Sequence, residues 1–465
     1  MNRLLLRAYH ALPYPIRCAA AGWYGRYLNR WRYDARTERL IEEALEREQW
    51  TASQWGRWRE EKLGLMLHIA ATRVPYYRDY WSKRRRRGDR SSPEILENWP
   101  ILDKEQLRLN PQRFLAEGSD PRRMFAEHTS GTTGTPLTLW RSRETVRNWY
   151  ALHEARCRHW YGVTRQDRWA ILGGRPVVPA TQRNPPFWVW NSALNQLYLS
   201  AFHVSPQRAQ DYLEAMQKYK VQHVLGYSAS IAMLAGEALR SGRQQRLKVV
   251  VTNAEPLTSA QRAVIQHGFQ CPVRETYGLA EMVTAASECE CGQLHEWPEA
   301  GWMEAGEDGE LIATGLLTTD MPLIRYRTGD RRQPSSATAL CGCARLLPLF
   351  GTVEGRKDDV VYLRDGREIG RMDPVFKTNL PIREAQIIQE TLDQLRVRYV
   401  PAEGFNAQSA QQIIGCIQDY LGPVQVVLEQ MAAIPREQTG KFRAVICRIP
   451  REQRPELIET QVGAQ

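Results

Sequence analysis

No apolar run in this sequence reaches the roughly 18 residues that a bilayer-crossing helix needs, so a membrane-spanning segment is excluded. A secretory leader is not expected either, because Arg7 breaks the apolar start Leu4-Leu5-Leu6. Cysteine is sparse, nine in 465 residues, and Cys18, Cys157, Cys271, Cys416 and Cys447 stand singly. That scatter argues against a disulfide framework and for a reduced, cytoplasmic compartment. Zinc-finger and RNA-recognition patterns are missing, so no nucleic acid is expected as partner. Internal repeats are missing too. What is present is ordinary for a globular chain: 43% hydrophobic and 25% charged residues. The length suits two domains with a large core. A net charge of +11, from 63 basic and 52 acidic residues, suits nucleotides, polyanions or an anionic membrane surface, or a solvated basic face.

The most informative run is Thr129-Ser130-Gly131-Thr132-Thr133-Gly134-Thr135-Pro136. The alternating Leu137-Thr138-Leu139-Trp140 follows it, and residues 122–126 before it read as a short strand. Glycines let backbone amides approach a ligand, and hydroxyls add donors, so the loop suits a phosphate. It is not a Walker A loop, for no Gly-Lys-Ser/Thr follows. Beyond it, apolar strands alternate with helices: strand 168–178, a helix from Ser205-Pro206, strand 221–225, a helix to Arg240, strand 247–252, helix 259–267 and strand 272–276. That order argues an α/β fold with a parallel sheet, whose ligands sit at the carboxyl ends of the strands. Gly226, Asn253 and Tyr277 fall at such ends. Short strands from 302 onward suggest a β-rich subdomain, and the last hundred residues a small α+β unit. The expected division is 1–355, with a helical leader over 1–110, and 356–465. Lys83 to Arg90 reads as a solvated loop, and Pro179 to Trp190 as a loop lining or covering a pocket.

Four motifs follow the phosphate loop in order: Tyr277-Gly278-Leu279-Ala280-Glu281, Thr328-Gly329-Asp330, Gly355-Arg356-Lys357-Asp358-Asp359 and Pro435-Arg436-Glu437-Gln438-Thr439-Gly440-Lys441. With Arg73-Val74-Pro75-Tyr76-Tyr77, Asn253-Ala254-Glu255-Pro256-Leu257 and Pro322-Leu323-Ile324-Arg325-Tyr326, the set resembles the adenylate-forming superfamily. Within it the chain is similar to the phenylacetate-CoA ligase branch and its CapK-type members from capsular polysaccharide clusters.

That resemblance implies an ATP- and Mg²⁺-dependent ligase that joins a small-molecule carboxylate to CoA or another thiol, with a role in surface polysaccharide biosynthesis. Thr129, Ser130, Gly131, Thr132, Thr133 and Gly134 would hold phosphates. Glu281 would hold Mg²⁺. Tyr277 and Gly278 would flank adenine, Asn253, Ala254 and Glu255 would line its edge, and Asp330 would accept the ribose hydroxyls. Arg356 and Lys441 would act as catalytic cations, and Asp358 as the hinge. Ala280 stands where most relatives have a hydroxyl. Trp188, Trp190, Tyr198, Phe202 and Tyr227 are available to line an apolar substrate pocket. Cys and His at these spacings suit structural Zn²⁺. The resemblance points to Cys289, His295, Cys341 and Cys343, with Cys291 as substitute. Two rival readings are nucleotidyl transfer to a hydroxyl and a non-catalytic scaffold at a membrane. The arginine- and aromatic-rich start, Met1 to Tyr33, fits either an interfacial helix giving peripheral membrane contact or a helix packed on the catalytic domain.

Overall fold

A computed structural model describes residues 3–128, 137–179, 182–306, 309–335, 341–355, 360–364, 368–369, 372, 380–435 and 445–455. The chain opens with helices α1 (Arg3–Ala11), α2 (Tyr14–Arg32), α3 (Ala35–Glu46), α4 (Ala52–Arg73), α5 (Pro75–Arg86) and α6 (Lys104–Leu109). Asp34 starts α3 by accepting from the Arg36 and Thr37 amides at 3.1 and 3.2 Å, a capping arrangement that fixes where the helix begins. The first half of the basic run expected as a loop, Lys83 to Arg86, is instead the end of α5, and only 87–90 leave the helix. Within α5, Arg84 bonds Asp89, Tyr80 and Ser91, and the helix C-terminus favours cations.

A hairpin of β1 (Phe125–His128) and β2 (Thr138–Arg141) flanks the phosphate-loop sequence, which lies outside the described residues. Of the strand expected over 122–126, Arg122 and Arg123 belong instead to a 3-10 turn started by Pro121, and the strand begins only at Phe125. Next come α7 (Arg143–Cys157), β3 (Trp169–Gly173), β4 (Trp188–Asn191), β5 (Gln196–Ser200), α8 (Ala209–Lys218), β6 (His223–Gly226), α9 (Ser228–Arg240), β7 (Val249–Thr252), α10 (Ser259–Phe269), β8 (Val273–Gly278), β9 (Ala285–Glu288) and β10 (Leu294–Glu296). These strands form one eight-stranded sheet in the order β10-β9-β8-β7-β6-β3-β5-β4. The five central strands are parallel, as the uninterrupted apolar run of β7 demands. The sheet is nevertheless mixed, because β4, β9 and β10 run antiparallel at its two edges. β4 occupies part of the expected covering loop. The serine expected to cap α8 makes no capping bond. Ser205-Pro206 opens a 3-10 turn, and α8 begins only at Ala209.

A second, antiparallel sheet follows: β11 (Gly301–Ala305), β12 (Glu310–Gly315), β13 (Tyr326–Gln333) and β14 (Thr352–Gly355). The expected division at 355/356, with Arg356 and Asp358, lies outside the described residues. The C-terminal part holds the pair β15 (Val361–Tyr362) and β16 (Glu368–Ile369). It also holds a four-stranded sheet of β17 (Ile382–Gln389), β18 (Gln394–Pro401), β19 (Gln425–Gln430) and β20 (Val445–Cys447), with α11 (Ala407–Leu421) against it.

The leader packs on the main sheet. On α2, Gly22 and Gly25 stand one turn apart and face the β4–β5 turn. A Cβ at Gly25 would lie 2.1 Å from Asn191 Oδ1, so a larger residue would have to displace the Asn191 side chain. One turn further, Asn29 Nδ2 donates to the Ala193 carbonyl at 2.7 Å. Replacing Gly25 by leucine is expected to lift α2 from β4 at a cost of about 1–3 kcal/mol, the usual penalty of overpacking. Thermal unfolding should show it as a melting point lower by several degrees, and an unchanged melting point would refute this packing account.

Candidate active site

The site is built at the carboxyl ends of β6, β7 and β8. Gly226 closes β6 against β3, where a Cβ would meet the Leu172 carbonyl oxygen at 2.2 Å. The Asn253 amide donates to Gly226 O at 3.0 Å, and this tie holds the turn after β7 beside β6. The Asn253 Oδ1 is buried with no partner among the described residues. Ala254 adopts a left-handed backbone, φ 65°, which a non-glycine residue holds only under tertiary constraint. Glu255 turns toward α9, accepting from Ser228 Oγ at 3.3 Å and the Ala229 amide at 3.1 Å. It thereby satisfies the start of that helix, a task its motif did not reveal.

Tyr277 and Asp330 come together across two sheets, the phenol donating to Asp330 Oδ2 at 2.7 Å. The Thr328 hydroxyl accepts from the Asp330 amide at 3.1 Å, and the Tyr277 ring packs on Phe350. Glu281 is only 4% exposed. Its Oε1 receives both Lys104 Nζ, at 3.2 Å, and the Tyr326 hydroxyl, at 2.7 Å. Burial pushes the Glu281 pKa up, but Lys104 and Tyr326 outweigh it and hold the carboxyl below its usual range. The group is therefore ionised, and both donors meet the same oxygen, Oε1. Beneath it, Arg141 Nη2 donates to the Ala280 carbonyl at 2.8 Å. Burial lowers the pKa of this guanidinium, while Glu127, Glu281 and Asp320 support its charge.

Lys104, Tyr326 and Arg141 are the residues that sequence reasoning missed. Tyr326 stood inside a quoted motif, between Arg325 and Arg327. Lys104 carried no signal, since it reaches Glu281 from 177 positions away. The phosphate-loop residues Thr129 to Gly134, and the cations Arg356 and Lys441, lie outside the described residues.

Cys289, His295, Cys341 and Cys343 converge, their ligand atoms all within 4.8 Å of one another. Cys289 Sγ is 3.5 Å from Cys341 Sγ, and Cys343 Sγ is 3.3 Å from His295 Nε2. His295 Nδ1 bonds the Leu347 carbonyl at 3.0 Å, so its proton sits there and Nε2 faces the thiols. Cys291 is exposed and outside the group. Three sulfurs and one imidazole nitrogen at this spacing fit tetrahedral Zn²⁺, where ligand sulfurs at about 2.3 Å from the metal lie about 3.8 Å apart.

A cavity of about 480 Å³ lies between the β3–β5–β6 face of the sheet and helices α2 and α7. Of the five aromatics expected to line a pocket, only Tyr198 does so. Trp188 and Trp190 pack instead on the hydrophobic core containing α8 and α9. The cavity adjoins the nucleotide-motif residues: Trp149 of its wall stands 3.9 Å from where a Gly278 Cβ would be, and Leu225 directly precedes Gly226.

Comparison with known proteins now bears on this arrangement. The AMP-binding enzyme family matches residues 88–309, and the CapK C-terminal domain matches residues 361–448. The chain is 27% identical to Protein CapK of Staphylococcus aureus over 261 residues, 55% of this chain and 58% of that protein. The matched stretch thus spans somewhat over half of CapK. Phenylacetate-coenzyme A ligase of Thermus thermophilus is 24% identical over 461 residues, 87% of this chain and 98% of that protein. Among solved structures, 2-hydroxyisobutyryl-CoA ligase in complex with 2-HIB-AMP and CoA has a TM-score of 0.55 at 19% identity, covering 86% of this chain and 91% of its own. At that identity the likeness establishes the fold alone: a large α/β domain followed by a smaller α+β domain.

Proposed function

We propose that this chain activates a small-molecule carboxylate with ATP and passes the acyl group to a thiol such as CoA. In the first step a carboxylate oxygen bonds to the α-phosphorus, the bond to the bridging oxygen breaks, and pyrophosphate leaves. In the second the thiol sulfur bonds to the acyl carbon, its proton is released, and AMP leaves. The observation that carries the reading is Glu281: a buried, ionised carboxylate whose Oε1 is fully occupied by Lys104 and Tyr326, beside the Tyr277–Asp330 pair. One carboxylate oxygen with substrate phosphates suits Mg²⁺, which would neutralise phosphate charge there. Asn253 Oδ1, buried and unpartnered among the described residues, suits the adenine amino group. Asp330 serves the ribose hydroxyls. Ser130, Thr132 and Thr133 hold phosphates, Arg356 and Lys441 stabilise the reacting charges, and Asp358 is the pivot between the two steps. The likeness to Protein CapK supports a place in surface polysaccharide biosynthesis.

Hydroxylamine traps an acyl-adenylate, so hydroxamate formation across a panel of carboxylic acids tests the proposal. Glu281→Gln and Lys441→Ala are each expected to lower kcat by about 10²-fold or more, as for loss of a transition-state charge contact. ATP consumption without hydroxamate would instead favour transfer of the nucleotidyl group to a hydroxyl.

The Cys/His group serves as a structural Zn²⁺ site holding β9, β10 and the 341–347 segment together. Metal analysis of the purified chain should find about one zinc per molecule, and Cys341→Ser should lose it. The loss should also depress the melting point by about 5 °C or more, as expected when metal binding contributes directly to folding. A metal-free chain of unchanged stability would refute the site.

No helix among the described residues is long and apolar enough to cross a membrane. Peripheral contact rests on α1 and α2, which expose Leu5, Ile16, Trp23, Tyr24 and Tyr27 among arginines. Aromatic and basic side chains together suit the headgroup region. Co-sedimentation with anionic phospholipid vesicles should fall about tenfold in a Trp23→Ser/Tyr27→Ser variant. Equal binding by that variant would remove the membrane reading.

A further inference from the structure

The cavity beside Gly278 is lined by four arginines, Arg32, Arg158, Arg165 and Arg175, and by no carboxylate among the described residues. Two of the four are committed. Arg158 pairs with Glu154 at 2.6 Å and lies over Trp169, and Arg165 reaches Glu38 and Glu154 and lies over Tyr33. The other two are not. Arg32 faces only the ring of Tyr150, 4.0 Å from its centre, and Arg175 makes no side-chain hydrogen bond or ion pair among the described residues. Arg175 is exposed and lines the cavity. The one acid whose field reaches both is Glu127, and it is shared with Arg141. Its single charge is thus divided among three guanidinium groups, so it offsets at most part of the charge on Arg32 and Arg175. The cavity therefore holds excess positive charge on planar, fork-shaped donors.

An acyl group without polar atoms would strip water from both guanidinium groups and return no hydrogen bond. Leaving buried charged donors unpaired is the costliest outcome for a binding site. An anionic group would accept from both and restore neutrality. We propose that this cavity is the acyl pocket and selects a carboxylic acid bearing a second anionic group, carboxylate or phosphate, remote from the carboxylate that is activated. The proposal rests on the adenylation reading above. It departs from the apolar pocket expected of the sequence, and the volume of about 480 Å³ accommodates a metabolite-sized acid. Arg175 and Arg32 are then the residues that set specificity.

The test uses size-matched pairs in the hydroxamate assay: adipate against hexanoate, and 4-carboxyphenylacetate against phenylacetate. Glucose 6-phosphate-derived 6-phosphogluconate against gluconate adds the phosphate arm. Wild type is expected to favour the doubly anionic member by at least about tenfold in kcat/KM. Arg175→Gln and Arg32→Gln should each bring that ratio toward one while KM for ATP stays unchanged. Arg175→Lys should restore part of it, which a merely structural role would not do. A preference for the neutral acids, a ratio indifferent to the variants, or a rise in KM for ATP would overturn the proposal, the last by assigning Arg175 to the nucleotide. Equilibrium dialysis with labelled adipate separates the two readings. Saturable binding that Arg175→Gln abolishes, with no acid activated, would uphold the pocket and sink the adenylation reading. Neither binding nor turnover of any doubly anionic acid would sink the pocket.

Discussion

Arg156 is wholly buried, and that burial constrains the placement of everything around it. A guanidinium out of water must be paired, and removing one partner from such a pair costs about 3–5 kcal/mol. Its partner is Glu299, bonded through both oxygens at 2.7 and 2.9 Å. Arg47, just past α3, bonds the same carboxylate at 3.2 Å. Glu48 then accepts from the Trp160 indole at 2.6 Å and lies 3.5 Å from Arg345. Through these charges the leader, α7, the segment after β10 and the 341–347 segment are tied into one arrangement of paired charges. Each of these pieces would leave a buried charge unmatched if it moved alone.

The functional features hang on this lock. Arg156 lies seven residues along α7 from Trp149, two turns on the same helical face. Fixing the C-terminal end of α7 therefore fixes Trp149, Tyr150 and His153 as the cavity wall. On the other side, Trp160 stands edge-on to His295, so the network also braces the imidazole that faces the three thiols. The Cys/His group and the cavity share the same support, although they lie toward opposite edges of the eight-stranded sheet. Burial pushes the His153 pKa well down, so this wall residue is neutral and the cavity charge comes from arginine.

The core of the architecture was legible because it rests on local patterns. The apolar run at 247–252 can only be a buried strand, and the alternation of strands with helices dictates parallel neighbours at the centre of the sheet. The antiparallel edges were not legible. Trp188–Asn191 is four residues long and follows a proline-rich stretch, and its pairing with β5 is decided by tertiary packing under α2. For the site, Gly226, Asn253 and Tyr277 fall where strands of the main sheet end, so their position could be read without coordinates, whereas Asp330 lies within β13 and was legible only through its motif. The four convergent Cys and His residues could also be placed, from spacing and resemblance together. Lys104 could not, because its role depends on α6 lying beside β13, a contact no local pattern encodes. The lining of the cavity was not legible for a related reason. Aromatic composition identifies side chains able to line a cavity, but which face of a strand meets that cavity is fixed by the sheet, and Trp188 and Trp190 face the other core.

The leader helix α2 joins the two halves of this picture. At 100° per residue, Ile16, Trp23 and Tyr27 form one exposed stripe, while Gly22, Gly25 and Leu28 form the opposite, buried face. The buried face continues into Asn29 and Arg32, which line the cavity. Whatever meets the exposed stripe therefore meets the outer surface of the cavity wall, one helix diameter from Arg32. The glycines make that wall thin by letting the helix axis approach the β4–β5 turn. A leader that merely tethered the chain would need neither the close packing nor an arginine turned inward. The contact that seats α2 and the charge that selects an acyl group are thus carried by adjacent turns of one helix, so a change in its seating must change the pocket as well.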